Sequence, residues 1–196
     1  MIDALTSAWA GSGVSQASFA AALGTSQPRL STYITGRVMP SAALLVRAQR
    51  LGDALQRVHG LHLMSAVDTA VALRQLFRGS SRSRPAGHER EALRTLLQGR
   101  DHLRLALETH PELTLAWHAR PRSVGRPEWD ALLGALTAHE FDHVNSPAPS
   151  WCQQPELPQP WVYPSALLSP AEVQARTPGW LAERNVHVAE RDLTTA

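Results

Sequence analysis

Apolar residues recur at helical spacing through most of this chain, and nowhere in its first half do they alternate as a half-buried strand requires. Ile2, Leu5 and Trp9 mark a first helix, which Gly11-Ser12-Gly13 ends. Two short helices are predicted next, over Gln16–Leu23 and Gln27–Thr35, stopped by Gly24 and Gly36. Pro40-Ser41 opens a longer one with Ser41 as N-cap, striped by Leu44, Leu45, Ala48 and Leu51. Ser65–Phe77 carries Val67, Val71, Leu73 and Leu76 at the same spacing.

The second half continues the pattern with one interruption. Glu89–Thr109 is amphipathic through Leu93, Leu96, Leu97, Leu103, Leu105 and Leu107, and Glu112–His118 is a shorter helix closed by Pro121. Glu128–Val144 follows, with Trp129, Leu132, Leu133, Leu136 and Phe141 apolar. Six prolines in the 19 residues Ser146–Pro164 exclude regular helix and predict an extended segment draped over the surface. Helical turns at Pro170–Arg176 and Pro178–Arg184 and a short strand at Val186–Val188 complete the reading. The tract Gly79–Gly87, GSSRSRPAG, is polar and lacks an apolar anchor. It divides the chain into a domain over 1–79, a linker over 80–87 and a second domain over 88–196. The fold class is mainly α.

A length of 196 residues with 43% apolar content suits one domain or a small domain with an appendage, and excludes wholesale disorder. No apolar run approaches the roughly 20 residues that span a bilayer, and no signal-type core follows Met1, so a soluble, cytoplasmic protein without membrane contact is expected. The single cysteine, Cys152, leaves no intramolecular disulfide. All 19 basic residues are Arg, which excludes Schiff-base and phosphate-loop lysine chemistry. Residues 1–127 hold 16 Arg against 8 Asp and Glu, and residues 128–196 hold 3 against 9. A basic front and an acidic rear suggest that the front faces a polyanion.

Residues 15–37, SQASFAAALGTSQPRLSTYITGR, carry the most specific pattern. Two short helices crossing closely need a small residue at the crossing, and Ala20 supplies it. Phe19, Leu23, Leu30 and Tyr33 are spaced to meet in one small core. Gly24 stands where the turn favours positive φ, Thr25-Ser26 can cap the second helix, and Pro28 is tolerated in its first turn. With its flanking helices, the stretch resembles the helix-turn-helix of the lambda-repressor/Cro (XRE-type) DNA-binding family over roughly residues 2–56. It departs from that family at Thr25, where an aliphatic residue is usual, and at Pro28, where a polar reader is usual. The resemblance implies that Gln27–Thr35 enters the major groove of an operator. Ser26, Gln27 and Thr32 would then read base edges, with Pro28 offering apolar contact only. Gln16, Arg29, Arg37 and the Tyr33 hydroxyl would hold phosphate, the Tyr33 ring belonging to the core.

His139-Glu140-Phe141-Asp142-His143 spells H-E-x-x-H on a predicted helix, the pattern of a zinc peptidase. Asp142 places a charge where such helices normally carry none, no third ligand is identifiable, and no strand-rich scaffold precedes it. A structural histidine pair is therefore the expectation, with no metal, no cofactor and no enzymatic activity. His59 and His62 flank Gly60 without a further ligand nearby.

After the linker, the phrases LLQGRDHLRLAL, PEWDALLGALTAHEFDH, PAPSW and TPGWLAERNVHVAERDL resemble the helical, Trp-containing rear of antitoxin-like bacterial regulators. Some of those regulators are paired with a nucleotidyltransferase-type toxin. The resemblance implies an autorepressor in a two-gene module. One such head reads only a half-site, so a homodimer is expected. The leucine-rich helix Glu89–Thr109 is the candidate for dimerisation, directly or by packing the body that dimerises, with the acidic rear after Pro127 free for a protein partner. Each Trp taken alone reads as core. The alternatives are a stand-alone regulator sensing a small ligand, for which no convergent polar set marks a pocket, and the zinc peptidase.

Overall fold

The computed structural model describes residues 2–79 and 85–194, and they form a mainly α-helical protein. The helices are α1 (Ile2–Gly11), α2 (Gln16–Ala22), α3 (Gln27–Ile34), α4 (Ala42–Gly60), α5 (Ala66–Gly79), α6 (Pro85–Thr109), α7 (Pro127–His143), α8 (Pro170–Ala175) and α9 (Gly179–Ala182). Among the described residues no helix is long and apolar enough to cross a membrane.

The chain divides into two compact units, and neither is contiguous in sequence. The first comprises 1–68 and 102–122, the second 69–101 and 123–196. The expected linker does not mark the crossings. Residues 80–84 lie outside the described ones, while 85–87 belong to the first turn of α6, where Pro85 needs no intrahelical donor. The two parts of this 25-residue helix are assigned to different units.

In the first unit α4 packs on α1 and on a 3-10 segment, Pro111–His118, while α3 packs on α1 and α2. Leu5, Phe19, Leu23, Leu30, Leu55, Leu113 and Trp117 are fully or almost fully buried there. Close approach of α1 to α4 depends on Gly52, where an added Cβ would stand 2.6 Å from the Ala8 carbonyl oxygen. The segment predicted as a helix at Glu112–His118 is the 3-10 one. It starts at a proline without a side-chain cap, and the Thr114 hydroxyl donates to the Pro111 carbonyl at 2.6 Å.

In the second unit α7 is buried on every side from Ala131 to Ala138, which is why its sequence is apolar all round rather than striped. Around it lie the 3-10 turn Ser150–Cys152, α9 and a two-stranded parallel ladder, β1 (Trp161–Val162) with β2 (Val186–His187). The register sets Trp161 against Val186 and Val162 against His187. Parallel strands need a crossover, and α8 and α9 supply it. The proline segment is otherwise irregular, as its composition requires. Trp129 is wholly buried, with ring centroids 5.5 Å from Phe77, 5.5 Å from Trp161 and 6.5 Å from Tyr163. Trp117 and Trp151 are buried too, so most of the late Trp residues are spent inside the units rather than on a partner surface.

Candidate nucleic-acid interface

The two short helices begin alike. Ser15 caps α2 by accepting from the Ser18 N–H at 3.2 Å, and Ser26 caps α3 by accepting from the Arg29 N–H at 3.4 Å. A glutamine follows each cap as the first helical residue. Between them the chain turns through Gly24 at φ +70°, with the Thr25 N–H on the Ala20 carbonyl and the Gly24 N–H on the Ala21 carbonyl. That double closure is a Schellman end, and it needs a left-handed residue at Gly24. Phe19, Ala20, Leu23, Leu30 and Tyr33 are all buried, so the small core lies as the spacing predicts.

This turn brings the two glutamines together. Gln27 Nε2 donates to Gln16 Oε1 at 3.1 Å on exposed surface. The bond leaves Gln27 one amide N–H and its carbonyl oxygen, and leaves Gln16 its whole amino group. The expectation placed both residues on one ligand but did not foresee that they touch. The repeated Ser-Gln pair, Ser15-Gln16 and Ser26-Gln27, was the available signal.

The remaining expected contacts divide. Ser26, Pro28, Arg29 and Arg37 are exposed. Arg29 Nε donates to the Tyr33 hydroxyl at 2.7 Å, so the two act as one cationic group with the Tyr33 ring in the core. Most of the guanidinium donors of Arg29 remain. The Thr32 hydroxyl donates to the Arg29 carbonyl at 2.8 Å, which spends its proton inside the helix and leaves it only as an acceptor.

The HExxH residues are engaged in a different way from a zinc site. His139 lies flat on Trp180, with ring centroids 4.1 Å apart and planes 6° off parallel. Glu140 is buried, its Oε1 3.9 Å from Arg100 Nε. Among the described residues no group of three or more His, Cys, Asp and Glu could hold a metal ion. His59 Nε2 lies 3.1 Å from an Asp68 carboxylate oxygen.

Charge is distributed by unit more evenly than by sequence. The first unit holds 8 Arg and 5 Asp and Glu, the second 11 and 12. The front-to-rear contrast shrinks because the Arg residues at 74–100 and Arg126 belong with the acidic rear. The first unit therefore carries only a small positive balance, 8 Arg against 5 Asp and Glu, rather than a large net charge. No family model, curated protein or solved structure matches the chain.

Proposed function

We propose that the protein is a sequence-specific double-stranded DNA-binding regulator that reads its operator with α3. The observation that carries this reading is the Gln16–Gln27 hydrogen bond across the exposed starts of two helices. Gln27 keeps one donor and one acceptor, the pair needed for adenine N7 and N6 in the major groove. Gln16 keeps its amino group for a phosphate oxygen, so one bond couples the groove contact to the backbone contact that sets its register. Arg29, held by Tyr33, and Arg37 supply further phosphate contacts, and the Ser26 hydroxyl can still donate to a base edge.

One such head covers only a half-site, so the regulator acts as a homodimer on a two-fold operator. Repression of its own operon, and pairing with a nucleotidyltransferase-type toxin encoded beside it, extend the same proposal. The test is fluorescence anisotropy on duplexes selected from a random pool. Gln27→Ala costs about 1–3 kcal/mol on the selected site and little on random duplex, whereas Arg37→Ala weakens both alike. Gln16→Ala and Gln27→Ala are less than additive, because each removes the same bond. Equal losses on selected and random duplex for Gln27→Ala refute base reading.

A further inference from the structure

Arg90, Leu93, Arg94 and Leu97 stand at i, i+3, i+4 and i+7 on α6 and share one face. Within the second unit that face lines a cleft of about 620 Å³, to which the chain around Tyr163 to Leu167 and the turn after β2 also contribute. Leu93 and Leu97 are 5% exposed and give it an apolar floor. Arg191 is a third Arg in the lining. None of the three Arg forms an ion pair with a described residue.

Two further groups in the lining are polar and uncommitted. Tyr163 is 6% exposed, its ring fixed against Trp129 and Trp161, and its hydroxyl makes no hydrogen bond among the described residues. Burial above all, with the carboxylates of Asp192 and Glu89 adding to it, raises the pKa of that phenol and keeps it a donor. Asp192 lines the same cleft, and its buried Oδ2 has no hydrogen-bond partner among the described residues. Unpaired buried acceptors are costly, and a donor brought to this carboxylate offsets that cost.

We propose that this cleft binds a phosphate ester of nucleotide size, its phosphoryl group held by Arg90, Arg94 and Arg191 and its body lying on Leu93 and Leu97. One guanidinium satisfies a carboxylate in a bidentate pair, whereas three separate forks suit a dianion with three terminal oxygens. The Tyr163 hydroxyl adds a neutral donor for the same oxygens. Asp192 selects a ligand that carries a hydroxyl or amine donor besides its phosphate. The volume falls within the range of small-molecule sites, about 300–1,000 Å³. This site lies wholly within the second unit and does not rest on the reading of α3 as a DNA-reading helix.

Isothermal titration calorimetry of the full chain tests the proposal, with the ribonucleoside 5′-monophosphates, the corresponding nucleosides and decanoate as probes. At least one monophosphate binds with Kd below about 1 mM, and its nucleoside at least about tenfold more weakly. Arg94→Ala and Arg191→Ala each weaken that binding by about tenfold or more, while Arg176→Ala, on exposed α8 flank, leaves it unchanged. Arg94→Lys, which keeps the charge and loses the fork, falls between. Circular dichroism establishes that each variant is folded, and the exposed Arg90→Ala replaces any that is not. Failure of every monophosphate to bind below about 1 mM overturns the assignment. So does binding that survives loss of both Arg94 and Arg191, or decanoate binding as tightly as any phosphate.

Discussion

Alanine at Gly52 and alanine at Gly60 should move stability in opposite directions, although both residues lie on α4. At Gly52 the new Cβ meets the Ala8 carbonyl oxygen at 2.6 Å, its Cα at 3.0 Å and its carbonyl carbon at 3.1 Å. Those are backbone atoms and cannot swing aside. Ordinary contact begins at 3.4 Å, so α1 must retreat by about 0.8 Å, the difference from 2.6 Å, and Leu5 leaves its packed site with it. Overpacking of this kind costs about 1–3 kcal/mol. Gly60 has nothing within 4 Å, so its variant gains only the helical preference of alanine, at most about 1 kcal/mol. The same preference helps Gly52→Ala and largely cancels in the comparison. A gap of about 1–3 kcal/mol between the two variants remains, with Gly52→Ala the less stable. Urea unfolding followed by far-ultraviolet circular dichroism measures it. A Gly52→Ala protein as stable as Gly60→Ala would refute the claim that the two helix backbones touch here.

Two further outcomes concern titrating groups. Burial lowers the pKa of His118 from its usual 6.5, so the unfolded chain takes up this proton before the folded one does. Its contribution to stability is present above pH 6.5 and is lost as pH falls through 6.5 toward the folded value; His118→Gln flattens urea midpoints across that window, and an unchanged slope counts against it. Burial pushes the Cys152 thiol up to about 12, so iodoacetamide at pH 8 labels it only at the rate of unfolding, and rapid stoichiometric labelling of folded protein would contradict the burial.

Helices were legible here where one face is apolar or a cap residue stands at the start. Ser41, Gly24 and Gly36 each sit where their chemistry demands, and the extents of α2 and α3 and the start of α4 follow within a residue or two. The core of Phe19, Leu23, Leu30 and Tyr33 was equally readable, since all four contacts arise from spacing within one short stretch. Pairing between distant segments was not. The extended proline segment gives no sign that Trp161 and Val162 find β2, because a two-residue ladder has no period to detect. The division into units escaped for a related reason: a polar tract looks like a boundary, whereas the crossings at 68/69, 101/102 and 122/123 fall where composition does not change. The cleft was not legible because Arg191 and Asp192 lie about a hundred positions from Arg90 and Arg94, and no sequence pattern joins them. At the candidate DNA surface the residue types were legible, but the engagement of Thr32 with its own helix depends on a rotamer.

The interleaving of the two units governs how this protein can be inherited, cut or transplanted. During synthesis the first unit is not complete until residue 122 has emerged, by which time residues 69–101 of the second have already been made. Recombination that moves the first 68 residues alone carries α1 to α4 without the segment 102–122, whose Leu113 and Trp117 belong to the buried interior of that unit. A graft of the helices proposed to read DNA therefore has to bring both stretches and a substitute for the chain between them. If α3 reads DNA as proposed, swapping one specificity for another is simpler by side-chain replacement on α3, which leaves the shared path of the backbone untouched.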